Sequence, residues 1–182
     1  MKLKALIICL AILLNACAML PKKAARIAWP ERIQYVAALC ELDMSWREMT
    51  YSGTMSLRVD YPDVLLVEVY GPFGNTAMYI KKDRNGFLLE NQEVKETDEG
   101  KFEKEFGIQL SDFIDDITMN NTREPVGKGS SIVQRKGYTV TYRLDDENRV
   151  CWHGADGHIC IEFIEASFEK GPGLGKGTSA GM

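Results

Sequence analysis

"DVLLVEVYGPFGNTAMYIKKD", Asp63–Asp83, reads as a strand, a break and a second strand. Leu65, Val67 and Val69 alternate in its first half, with Glu68 facing the other way. That period of two marks a half-buried strand. Gly71 and Pro72 interrupt the pattern, since one frees the backbone and the other fixes it for a turn. "TAMYIKKD" then resumes it, with Met78 and Ile80 on one face. A hairpin with one apolar and one polar face belongs to an antiparallel sheet covered on one side. Phe73 fits this scheme poorly. It stands at the apex of a Gly-Pro-Phe-Gly turn, where chains normally face water. Its ring either folds back onto the domain edge or meets an apolar surface from outside.

The neighbouring segments extend the sheet. "GTMSLRVDY" sets Met55, Leu57 and Val59 against Thr54, Ser56 and Arg58, and "NGFLLENQ" follows a turn at Asp83–Gly86. The period then changes. "TDEGKFEKEFGIQLSDFIDDITM" has Phe102 and Phe106 four apart, then Phe113, Ile114 and Ile117 at helical spacing, so two short helices are expected, split at Gly107. Asp115 and Asp116 read as a solvated helix face. Strands return in "SIVQRK", "GYTVTYRLD", "NRVCWH" and "HICIEFIEAS". At the other end, "PERIQYVAALCEL" (Pro30–Leu42) starts with proline and carries Ile33, Val36, Ala37 and Cys40 at helical spacing, which predicts a helix with Cys40 as a small buried residue on it. "DMSWREMTY" follows as a strand.

This order implies an α+β fold. Its expected form is a strongly curved antiparallel sheet, an incomplete β-barrel of about nine strands, covered by short helices. A flat two-layer sheet is the alternative. The residues expected to face inward are Met55, Leu57, Val59, Leu65, Val67, Val69, Met78, Ile80, Phe87, Leu89, Tyr138, Val140, Tyr142, Val150, Trp152, Ile159, Ile161 and Phe163. Pattern alone does not distinguish a filled core from a ligand cavity.

The N-terminus sets the compartment. "MKLKALIICLAILLNAC" has Lys2 and Lys4, then an unbroken apolar run from Ala5 to Leu14. The run is shorter than the roughly 20 residues a transmembrane helix needs and has the flanks of a secretory leader. Leu14, Asn15, Ala16 and Cys17 resemble the bacterial lipobox. That motif implies lipid attachment at Cys17 after removal of residues 1–16, and acyl chains sufficient for stable anchoring. Under the common sorting rule, Ala18 in place of Asp points to the outer membrane, with the domain facing the periplasm. The expected organisation is a leader over 1–16, a lipidated tether over 17–29, a folded domain over 30–168 and a disordered Gly-rich tail over 169–182.

Composition narrows the function. The formal net charge is −4, and losing Lys2 and Lys4 with the leader takes it to −6. An acidic chain without a basic block is a poor candidate for nucleic acid. Only two histidines are present, and "GPGLGKG" (Gly171–Gly177) lacks the spacing of a phosphate loop. No cofactor and no catalytic residues are expected, so the chain reads as a non-enzyme.

"CWHGADGHIC" (Cys151–Cys160) forms a second constellation. Read as a hairpin turning at Gly154–Gly157, it sets Cys151 opposite Cys160 and His153 opposite His158, on the face away from Trp152, Ile159 and Ile161. A disulfide, two free thiols and a zinc site are all compatible with that register. An exported compartment favours the disulfide, and the spread of about 7 Å per two residues along a strand makes a tetrahedron awkward.

Three stretches resemble the LolB-like family of the LolA/LolB superfamily: the lipobox at Leu14–Cys17, the strand-turn-strand at Leu65–Ile80, and the helical segment at Phe106–Met119. Ser111 stands where the family has proline. The resemblance implies a half-barrel whose apolar cavity holds acyl chains of lipoproteins or lipids. It implies cargo delivered by a periplasmic LolA-like carrier and passed to the membrane by a monomer. It also implies that Gly71, Pro72, Phe73 and Gly74 form the transfer turn, with Phe73 protruding. A structural envelope lipoprotein that binds a protein partner with the same fold is the other expectation.

Overall fold

A computed structural model describes residues 27–120 and 130–169. The leader, the lipobox with Cys17, the tether up to residue 26 and the tail from residue 170 lie outside the described residues.

Among the described residues, ten strands form one open antiparallel sheet. They are β1 (Tyr35–Trp46), β2 (Met49–Asp60), β3 (Val64–Tyr70), β4 (Thr76–Asp83), β5 (Gly86–Asn91), β6 (Lys95–Glu96), β7 (Ser130–Gln134), β8 (Tyr138–Arg143), β9 (Arg149–Gly154) and β10 (Gly157–Ser167). Between β6 and β7 lie α1 (Glu99–Phe106) and α2 (Leu110–Thr118). The strand order is β6-β5-β4-β3-β2-β1-β10-β9-β8-β7. Every lateral neighbour is therefore a hairpin partner except at one seam, where β1 pairs with β10. The sheet is curved and open, with the two helices against its apolar face, which is the fold class the sequence predicts.

The expected helix over Pro30–Leu42 is not formed. Residues from Tyr35 onward belong to β1, and the short β6 makes ten strands in place of about nine. Val36, Cys40, Leu42 and Trp46 are buried, with Ala38 and Met44 half-buried between them, so every second residue faces inward. The segment "DMSWREMTY" is likewise not one strand. It ends β1, turns at Arg47–Glu48 and begins β2, with Arg47 at φ 51°. The packed domain also begins before residue 30. Trp29 meets Phe163 edge-on at 4.9 Å and donates from Nε1 to Asn148 Oδ1 at 3.2 Å.

The helices are short and locally specified. Asp98 caps α1 by accepting from the Gly100 N–H at 2.9 Å, and Gly107 closes it at φ 65°, a left-handed conformation that glycine adopts without penalty. The split expected at Gly107 is thus in place. α2 has no side-chain cap at its start but buries Leu110, Ile114, Asp116, Ile117 and Thr118. No residue of α1 is fully buried. The two helices are therefore held to the sheet very differently.

Candidate functional site: an apolar cavity and an exposed turn

A cavity of about 80 Å³ lies between the sheet and the two helices. Leu42, Met44, Met55, Leu65, Val67, Val69, Met78, Ile80, Ile159 and Ile161 supply its sheet side, and Phe102, Phe106, Ile108, Leu110 and Phe113 its helical side. Every lining residue is apolar. On β3 the alternation that defines the strand also presents Leu65, Val67 and Val69 to the cavity, so strand pattern and lining have the same cause.

Eight of the residues expected to face inward are brought together here: Met55, Leu65, Val67, Val69, Met78, Ile80, Ile159 and Ile161. Leu57, Tyr138, Val140, Tyr142, Trp152 and Phe163 are buried but do not line the cavity. Three of these have a different task. The Asp116 side chain, fully buried on α2, accepts from Trp152 Nε1 at 3.1 Å and Tyr138 Oη at 3.2 Å, while Tyr142 Oη donates to the Asp116 carbonyl at 3.0 Å. Arg135 Nε donates to the same carboxylate at 2.9 Å. Asp116 is thus not on a solvated helix face, and the aromatic residues expected around cargo serve a polar anchor beneath α2. Burial pushes the Asp116 carboxyl above its ordinary range, and its donors, Arg135 first, oppose that shift. Burial likewise pushes the Tyr138 and Tyr142 hydroxyls and the Cys40 thiol up.

An aromatic wall joins Phe87, expected to face inward, to Phe102, Phe106 and Trp46, which were not. Phe102 and Phe106 pack with ring centroids 4.6 Å apart, Phe87 lies 5.6 Å from Phe102, and Trp46 lies 6.3 Å from Phe106. The four-residue spacing of the two phenylalanines was visible, but which face of the helix turned inward was not. Leu42 and Met44 were hidden by the helical reading of β1.

α1 is secured by those ring contacts, by a bond from Trp46 Nε1 to the Glu105 carbonyl at 3.4 Å, and by the Lys82–Glu99 ion pair. α1 is the lightly held wall and α2 the fixed one.

The β3–β4 turn is shaped by Gly71 N–H donating to the Asn75 carbonyl at 2.7 Å and Gly74 N–H donating to the Gly71 carbonyl at 2.9 Å. Gly74 sits at φ 78°. Phe73 projects from this turn with 95% of its surface exposed and does not fold back onto the domain.

On the opposite face of the sheet, β9 and β10 pair in the expected register, with Cys151 across from Cys160 and His153 across from His158. The two sulfurs are joined as a disulfide. Cys40 is a free thiol, buried on β1.

No family model and no curated protein matches this chain.

Proposed function

We propose that this chain is a lipid-anchored outer-membrane protein that takes acyl chains of lipoproteins or lipids into the cavity beneath α1 and passes them to the membrane. The observation that carries this reading is the pairing of a wholly apolar cavity with a fully projecting phenyl ring on the same hairpin, β3–β4. Val67, Val69, Met78 and Ile80 of that hairpin face the cavity, while its tip offers Phe73 to a bilayer. Burying that ring in a membrane would contribute roughly 1.5–3 kcal/mol. Flexible Met44, Met55 and Met78 suit chains of variable shape. Binding is non-covalent, and a carrier of the LolA type is the proposed donor.

The cavity as it stands is smaller than the roughly 300–1,000 Å³ typical of ligand sites. Loading therefore requires α1 to move outward, which its light attachment allows. The same small volume favours a second reading, a structural envelope lipoprotein whose surface binds a protein partner.

Fluorescent fatty-acid binding and transfer to vesicles separate the two. The first reading requires saturable binding that an unlabelled acyl chain displaces. It also requires Phe73→Glu to retain binding while losing transfer to vesicles. Absence of displaceable binding overturns it and leaves the second.

A further inference from the structure

The geometry points to a thiol-gated zinc site on the outer face of the β9–β10 hairpin: once the Cys151–Cys160 disulfide is reduced, the two sulfurs bind Zn²⁺ together with His153 and His158. Antiparallel pairing sets each like pair directly opposite, one step of the alternation apart. The ligand atoms of Cys151, His153 and Cys160 already lie within 4.8 Å of one another. Tetrahedral zinc with sulfur bonds of about 2.3 Å needs donors about 3.8 Å apart. Reduction lets the two bonded sulfurs move apart while the imidazoles close in, by side-chain rotation that leaves the ladder intact. His158 lies outside that group: its ring is 6.2 Å from that of His153, centroid to centroid, and its Nε2 is 3.9 Å from Asp43 Oδ2, so its side chain turns from Asp43 to supply the fourth donor.

The surroundings suit the exchange. A surface groove of about 300 Å³ opens over both cysteines and both histidines, so a small thiol reaches the disulfide from solvent. The nearest cations are already engaged: Arg143 Nη1 lies 3.0 Å from Glu147, and Arg149 Nη2 lies 3.6 Å from Asp43. Two thiolates balance the charge of the ion, and a donor set of two sulfurs and two imidazoles is the one zinc favours. The steps balance as follows. A dithiol gives two electrons and two protons to the Cys151–Cys160 bond and becomes a disulfide. Zn²⁺ then displaces one proton from each thiol. Disulfide and metal are mutually exclusive states of one hairpin.

The test uses the full chain in detergent, reduced, freed of reductant without oxygen, and titrated with Zn²⁺ against a chromophoric chelator and with Co²⁺ alone. The reduced chain should bind one equivalent of zinc. Its cobalt form should show thiolate-to-metal charge-transfer absorption. The oxidised chain and the C151S/C160S variant should show neither. The exposed His153→Ala change, with folding checked by circular dichroism, should weaken zinc at least about tenfold. The proposal is overturned if the reduced chain takes up no zinc. It is equally overturned if C151S/C160S binds as well as the parent, or if His153→Ala and His158→Ala both bind unchanged.

Discussion

Arg135, in the turn between β7 and β8, reaches the carboxylate of Asp116 on α2, its Nε at 2.9 Å from Oδ1, and so ties a helix to the edge of the sheet it covers. Asp116 has no exposed surface, and the Arg135 side chain has only 16%. Removing one member strands the other, together with the Tyr138 and Trp152 donors. We expect Asp116→Ala to destabilise the domain by about 3 kcal/mol, since breaking a buried pair leaves an uncompensated charge. Urea unfolding against the parent chain measures it.

The same carboxyl gives a pH dependence of defined sign. Burial raises its folded-state value above the ordinary 3.8, so the folded chain holds the proton more strongly than the unfolded chain. This group's contribution to stability is therefore greatest on the acidic side and falls as pH rises through the folded value. The difference in unfolding free energy between the parent and Asp116→Asn should decline as pH rises above the ordinary carboxyl value. A difference that grows as pH rises contradicts the assignment.

The unequal attachment of the helices is open to hydrogen exchange. α2 carries five buried residues and α1 none. Amides of α1 should exchange at least about tenfold faster than those of α2, as expected for a segment that opens locally. An added acyl chain should change α1 exchange while leaving α2 unaltered.

Gly157 starts β10 at φ 147°, and a Cβ there would stand 1.9 Å from the Ser45 carbonyl oxygen. The obstacle is backbone, so it has no side-chain rotation to relieve it. Gly157→Ala should lower stability by at least about 2 kcal/mol, combining the strained conformation with displacement of β1. Its melting temperature reports the loss.

Cys40 supplies a probe of native packing. Its thiol is buried and its ionisation suppressed. In the oxidised native domain an alkylating reagent should leave Cys40 unmodified, and it should react only in denaturant.

Most of the strands were legible because apolar and polar residues alternate without interruption, as in Met55-Ser56-Leu57-Arg58-Val59. β1 was not, because Val36, Ala37 and Cys40 satisfy helical spacing as well as strand spacing in so short a window. Extending the window to Leu42, Met44 and Trp46 resolves it in favour of a period of two. The hairpin register of Cys151 and Cys160 was readable because a two-residue loop fixes pairing. The division of inward residues between cavity and Asp116 anchor was not readable. Tyr138 and Met78 both alternate correctly, and only the position of α2 above the sheet decides which one meets a carboxylate and which one meets empty space.

The seam between β1 and β10 gives the fold a particular order of assembly. A chain emerging with its first strand ahead can zip β1 through β6 into successive hairpins, yet the outer rim of β1 stays bare until the final described strand arrives. Contacts so distant along the polymer are slow to form, and a naked ladder invites pairing with other chains while it waits. A holdase engaging the nascent polypeptide would find its natural substrate in that unfinished rim, and truncation anywhere upstream of β10 would leave it permanently adhesive.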